Sequence, residues 1–176
     1  MKDSKIRQVV TAAMFAAICC VLTMTVRVPT FGTNGYVNIG DMSVLLGAWL
    51  LGGVYGALAG GIGSAMADLL SGYTHYVPAT FLIKFLMALA AWFLFSRLAD
   101  KVNRTVSLLI SAAAAELIMM TGYFLYQSTI LGYGLAAFSS VPGNITQGIT
   151  CSVLAVVCIH ALYAAKVPQH FFAGQH

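Results

Sequence analysis

Two opposite charges, Asp68 and Lys84, stand inside otherwise apolar stretches of the chain, GALAGGIGSAMADLL and ATFLIKFLMALAAWFLF. An ionised side chain in hydrocarbon is costly unless it is paired or faces water, so such residues usually mark a binding site or a path. Asp68 precedes Gly72 by one helical turn and Lys84 follows Ala79 by slightly more, so in an antiparallel hairpin both lie at a similar depth. We therefore expect the two side chains to meet, either as a structural ion pair or as groups that contact a ligand.

A third ionisable residue, Glu116, lies about half-way along the run AAAAELIMMTGYFLYQ, and helical spacing places Tyr123 and Gln127 on its face. A carboxyl at this depth is expected to be partly protonated or to bond a partner such as Lys84. An interhelical hydrogen bond and a contact with a ligand are both compatible with this pattern.

Two amides, Asn144 and Gln147, come one turn into the last apolar run and point the same way on a helix. Such a pair can read the donors and acceptors of a polar heterocycle. For Asn144 the alternative is a capping role in the first turn of that helix.

The composition shows which elements must position these residues. Of the 176 residues, 60% are hydrophobic and only 8% are charged, which is typical of an integral membrane protein. We predict a single all-α domain over residues 1–176, a bundle of six transmembrane helices. Gly52-Gly53 is all that separates the second predicted helix from the third. The predicted spans are about 7–26, 42–53, 55–72, 79–97, 105–130 and 141–165.

Basic residues predict the orientation of this bundle, since lysine and arginine concentrate in cytoplasmic loops. With both termini in the cytoplasm, the outer loops contain only Arg27, which opens a Gly-rich loop over residues 27–40 that we expect to act as a lid. The residues predicted on the cytoplasmic side are Lys2, Lys5, Arg7, Arg97, Lys101, Arg104 and Lys166.

Several classes of function are disfavoured. The chain has no G-x-x-x-x-G-K-[ST], H-E-x-x-H or G-x-S-x-G motif, so energy for any transport must come from another protein. The net charge of +4 lies at segment ends and does not form a nucleic-acid surface. The four cysteines lie in apolar runs without metal-site spacing, and we expect neither a metal nor a cofactor.

Small residues form a smooth stripe along the first predicted helix. Ala12 and Ala16, with Ala13 and Ala17 beside them, repeat at the four-residue spacing that allows another helix to approach closely in lipid. This pattern predicts helix docking, within the bundle or with a partner.

Four motifs together resemble those of a known family. They are N-I-G-D from Asn38 to Asp41, the glycine-rich run from Gly56 to Tyr73, P-A-T-F-L-I-K from Pro78 to Lys84, and P-G-N-I-x-Q from Pro142 to Gln147. Over nearly its whole length the chain resembles a substrate-binding S component of a prokaryotic energy-coupling factor (ECF) vitamin transporter, of the riboflavin or the hydroxymethylpyrimidine/pyridoxine type.

This resemblance implies a non-enzymatic, multi-pass protein of the prokaryotic cell membrane that binds a vitamin near its outer face, beneath the first loop. It also implies that the alanine stripe docks on a membrane scaffold subunit, which works with two cytoplasmic ATPases. Phe85 differs from the glycine that many relatives carry after the lysine, and we expect it to narrow the site.

Our first hypothesis is therefore an S component for a small aromatic heterocycle, with pyridoxine or hydroxymethylpyrimidine as the best guess and riboflavin or a purine-like base as alternatives. A less favoured hypothesis is an intramembrane enzyme that uses Asp68 or Glu116 as acid or base, and another is a stand-alone secondary transporter. Aromatic rings, including Tyr36, are expected to stack on the ligand. The predicted ligand-binding residues are Asn38, Asp41, Asp68, Tyr73, Tyr76, Lys84, Glu116, Tyr123, Gln127, Asn144 and Gln147.

Overall fold

The computed structural model describes residues 2–30 and 35–165 and, within the first helix, side chains from Lys5 onward. Lys166 and part of the predicted lid, residues 31–34, lie outside the described residues, as does the side chain of Lys2. The elements in chain order are α1 (Lys2–Thr25), β1 (Arg27–Pro29), β2 (Tyr36–Asn38), α2 (Asp41–Leu51), α3 (Gly53–Leu70), α4 (Val77–Leu98), α5 (Arg104–Leu125), a π-helical turn (Tyr126–Ile130), a 3₁₀ helix (Gly134–Ser140) and α6 (Val141–Ala164).

The predicted all-helical membrane bundle is confirmed in its main feature. Five helices of the described chain are long and apolar enough to cross a membrane. The remaining α-helix, α2, has 11 residues and is about 16 Å long, roughly half the hydrocarbon thickness of a bilayer. A tight turn joins α2 to α3. Gly52 and Gly53 have φ values of 68° and 45° there, in the positive-φ region that residues other than glycine rarely adopt.

A two-stranded hairpin, which the sequence did not predict, occupies the described part of the first loop. β1 and β2 pair antiparallel, with Arg27 opposite Asn38 and Pro29 opposite Tyr36. The hairpin places side chains of β2 against α6 and α1. We call the end of the bundle that carries it the cap end.

Close packing joins α1 to α3. A Cβ atom at Gly63 would overlap the carbonyl oxygen of Ala16, so the two backbones approach as closely as the small residues allow. Ala12 and Ala16 are half-buried, whereas Ala13 and Ala17 are exposed. Only part of the alanine stripe therefore remains accessible to a partner.

A buried hydrogen bond joins α2 to α5 in the centre of the bundle. Trp49 of α2 is 1% exposed and donates a hydrogen bond from Nε1 to Oγ of Ser111 in α5, over 3.1 Å. Phe85 stacks on Phe81 of its own helix, with ring centroids 5.9 Å apart. Phe85 is absent from the lining of the cavity beneath the hairpin, so our expectation that it narrows the site is wrong.

Candidate ligand-binding site

A small cavity lies beneath the hairpin at the cap end. It has about 30 Å³ of free space, room for about two water molecules. Eight of the predicted ligand-binding residues line it: Asn38, Asp68, Tyr76, Lys84, Tyr123, Gln127, Asn144 and Gln147. The lining also contains the half-buried Tyr36 of β2.

The lysine of this site pairs with Asp41 and not with Asp68, which corrects our expectation. Nζ of Lys84 contacts Oδ1 of Asp41, and the two residues are 2% and 1% exposed. Asp41 is the first residue of α2, where the helix dipole favours a negative charge. The expectation considered only the α3–α4 hairpin, whereas α2 also packs against α4 and brings a carboxylate to the lysine.

Gln147 connects this ion pair to the hairpin. Its Nε2 donates to Oδ2 of Asp41 over 2.6 Å, and its Oε1 accepts a hydrogen bond from the backbone N–H of Asn38 over 2.6 Å. Both carboxylate oxygens of Asp41 are thus bonded, one to Lys84 and one to Gln147. The network holds α2, α4, α6 and the hairpin together in one buried polar cluster, where a lost partner is costly.

Asp68 is bonded to the hairpin. Tyr36 donates its phenolic hydrogen to Oδ1 of Asp68 over 2.6 Å, and its ring packs against that of Tyr73 with centroids 4.7 Å apart. Burial and the neighbouring Asp68 carboxylate raise the pKa of Tyr36, because both disfavour a phenolate. Tyr36 therefore remains a hydrogen-bond donor and holds the hairpin against α3.

Two more tyrosines form an aromatic wall. The rings of Tyr76 and Tyr123 are 6.3 Å apart in an edge-on arrangement, and Nζ of Lys84 lies 5.4 Å from the centroid of Tyr123. Gln127 donates from Nε2 to the hydroxyl of Tyr76 over 3.2 Å and accepts from the hydroxyl of Ser140 over 2.7 Å. Burial raises the pKa of Tyr76 to about 12, so this phenol stays neutral at physiological pH.

Three predicted residues lie outside the cavity lining. Asp41 lies behind Lys84, and Tyr73 packs on the hairpin through Tyr36. Glu116 is 4% exposed, and neither of its carboxyl oxygens has a hydrogen-bond partner among the described residues, so of the two expected outcomes, partial protonation or a bond to a partner such as Lys84, the bond is absent. Glu116 borders a separate, largely apolar groove between α5 and α6 and packs against Gly148.

Sequence reasoning missed the hydroxyl residues of the lining. Single threonines and serines are common in membrane helices, where they bond the backbone of their own turn, so their identity carried no signal. Thr80 accepts a hydrogen bond from the hydroxyl of Tyr123 over 3.0 Å. The others are Thr23, Thr30, Ser64 and Ser140.

This arrangement can bind a small polar molecule. It offers one cation, one carboxylate, four amides and several aromatic rings around an enclosed space, the usual composition of a ligand site. The described residues contain no group of three or more His, Cys, Asp or Glu side chains that could hold a metal ion.

Comparisons with known proteins show what this chain is similar to in sequence and in fold. Residues 3–164 match the family model of the "ECF-type riboflavin transporter, S component". A protein of Pyrococcus woesei that carries the description "Uncharacterized protein in gap 3'region" is 32% identical over 131 residues, which cover 74% of this chain and 84% of the relative. A solved structure of the S component of a bacterial ECF transporter has a similar fold, with a TM-score of 0.66 and 17% identity over 91% of this chain and 97% of that chain.

The family match covers nearly the whole chain, and the long apolar helices are those of a multi-pass protein of the cell membrane. ECF S components are substrate-binding subunits of transporters and not enzymes. The chain belongs to the family of ECF transporter S components.

Proposed function

We propose that this chain captures a vitamin-like heterocycle in the cavity beneath the hairpin, with pyridoxine or hydroxymethylpyrimidine as the best candidates. The observation that carries the proposal is the buried cluster of Lys84, Asp41 and Gln147, which meets an aromatic wall in an enclosed space. Polar groups at fixed positions within a partly aromatic site give specificity for a small ring with several donors and acceptors.

The small size of the cavity favours the ligand that needs the least movement of the lining. Free space of about 30 Å³ is too small for any vitamin, so the hairpin or the lining side chains must move on binding. Two of the bonds that hold the described part of the hairpin over the site involve lining side chains on the helices, from Tyr36 to Asp68 and from Asn38 to Gln147. A small ring with hydroxymethyl groups can replace both bonds and needs less movement than a larger ligand.

Riboflavin is the second candidate because the matching family is described as the S component of riboflavin transporters. Its three fused rings would need a much larger opening between the hairpin and α6. The two candidates therefore predict different extents of movement at the cap end.

In this proposal all six helices lie in the membrane, with α2 crossing only part of it, the cap end faces the outside, and both termini face the cytoplasm. The ligand is delivered inward together with a membrane scaffold subunit and two ATPases. The exposed Ala13 and Ala17 support α1 as the helix that contacts the scaffold, because small residues allow close approach of a second helix in lipid.

Calorimetric titration of the purified protein with pyridoxine, hydroxymethylpyrimidine and riboflavin tests the ligand class. We expect one of the two small rings to bind most tightly and Asn144→Ala to weaken its binding about tenfold, the effect of one lost hydrogen bond in a closed site. Asn103→Ala is the matched control, because Asn103 lies at the opposite end of the bundle from the cavity. There it caps α5 by accepting a hydrogen bond from the N–H of Val106 over 2.9 Å. Unchanged affinity in both Asn144→Ala and Lys84→Ala would refute this site.

A further inference from the structure

Thr23 of α1 has an unusual environment for a threonine in a helix. It is 3% exposed, lines the cavity beneath the hairpin, and has no hydrogen-bond partner for Oγ1 among the described residues. Buried hydroxyls are normally bonded, so one that is not calls for an explanation.

The other threonines described in α1 show the usual arrangement. Thr11 donates to the carbonyl of Arg7 over 2.8 Å, and Thr25 donates to the carbonyl of Val21 over 2.7 Å. This bond to the preceding turn is the default for a helical threonine. Thr23 lacks it, so its hydroxyl is available on the cavity side of the helix.

The surroundings keep the hydroxyl in this position. Oγ1 of Thr23 lies against Gly40, where a Cβ atom would overlap it, so the turn that leads into α2 closes one side. On the neighbouring helix α3, the hydroxyl of Ser64 is already engaged with Sγ of Cys19 at 3.3 Å. Ser64 and Thr23 both line the cavity, and of the two only Thr23 has a hydroxyl without a hydrogen-bond partner among the described residues.

We propose that Thr23 is a ligand-binding residue whose hydroxyl bonds a hydroxyl or hydroxymethyl group of the ligand. This inference depends on the proposed function and refines its ligand class. Helix α1 packs on α2, α3 and the hairpin, whereas Lys84, Tyr123 and Gln147 come from α4, α5 and α6. The ligand must therefore present polar groups on two sides, one toward α1 and one toward Lys84 and Gln147.

The test compares Thr23→Val with Thr11→Val, a matched change on the same helix. Valine keeps the shape of threonine and has a methyl group in place of the hydroxyl. We expect Thr23→Val to weaken calorimetric binding of pyridoxine about tenfold, as the loss of one hydrogen bond in a closed site would. Thr23→Ser, which retains the hydroxyl, should keep most of the affinity, and Thr11→Val should bind pyridoxine like the wild type.

Thermal unfolding without ligand separates binding from a structural role. Thr23→Val should unfold at the same temperature as the wild type or higher, because it removes an unpaired buried donor. Thr11→Val should change the unfolding temperature little, because the bond of a threonine hydroxyl to the preceding turn adds no stability to a helix. Affinity of Thr23→Val within about twofold of the wild type, or an unfolding temperature clearly below that of the wild type and of Thr11→Val, would overturn the inference.

Failure of the proposed function gives a different result. If the wild type binds none of pyridoxine, hydroxymethylpyrimidine and riboflavin, the proposed ligand class is wrong, and the assignment of Thr23 is wrong with it. If only hydroxymethylpyrimidine or only riboflavin binds, the same variants are titrated with that compound and the same outcomes decide. If the wild type binds and Thr23→Val binds equally well, only the Thr23 assignment is wrong.

Discussion

Replacement of Lys84 by methionine should strongly destabilise this protein, and a second change at Asp41 should reverse the loss. Lys84 and Asp41 are 2% and 1% exposed, and they form the one salt bridge found among the described residues. Removal of one partner of a buried pair typically costs about 3–5 kcal/mol because the other charge is left unpaired. Gln147 still donates to Oδ2 of Asp41 in the variant, which favours the lower half of that range.

The assay is thermal unfolding of the purified protein in detergent. A domain of this size shifts by about 2–4 °C per kcal/mol, so Lys84→Met should lower the Tm by about 6–16 °C for a loss of about 3–4 kcal/mol. Lys84→Met/Asp41→Asn should recover most of this loss, because no charge is then left unpaired at the pair. Gln147 can donate to the amide oxygen of the new asparagine as it does to the carboxylate.

The control is Lys84→Met/Asp68→Asn, which tests the pairing expected from the sequence. In the structure Asp68 accepts a hydrogen bond from Tyr36 and does not contact Lys84, so this double variant should be no more stable than Lys84→Met. Recovery by Asp68→Asn without recovery by Asp41→Asn would show that the pairing derived from the structure is wrong.

Two further predictions concern docking and orientation. Ala17→Trp should abolish copurification with a coexpressed ECF scaffold subunit and leave ligand affinity unchanged, because Ala17 is exposed on α1. The control is Leu117→Trp, on the exposed face of α5. Equal loss of copurification in both variants would contradict docking through α1. Leu135→Cys, at a position 83% exposed near the cap end, should react with a membrane-impermeant maleimide in intact cells, and Asp100→Cys only after lysis. The reverse labelling pattern would invert the proposed orientation.

Sequence reasoning found most of the site because charge and amide groups are rare in apolar helices. Lys84, Asp68, Asn144 and Gln147 stood out for this reason, and the structure places all four in the lining of one cavity. Glu116 stood out in the same way but faces the groove between α5 and α6. A helical repeat gives the face of a residue within its own helix, and the neighbour on that face depends on how the helices pack.

The sequence by itself determined that this chain is a helical membrane protein, since 60% hydrophobic residues in long runs leave few other folds in which every backbone polar group is bonded. It also indicated the turn at Gly52 and Gly53, where the backbone takes a conformation that glycine adopts readily. The tertiary structure alone decided that Lys84 pairs with Asp41, 43 residues away in the chain, and that the hydroxyl of Thr23 has no hydrogen-bond partner among the described residues. These are properties of distant segments in contact, which no local spacing encodes.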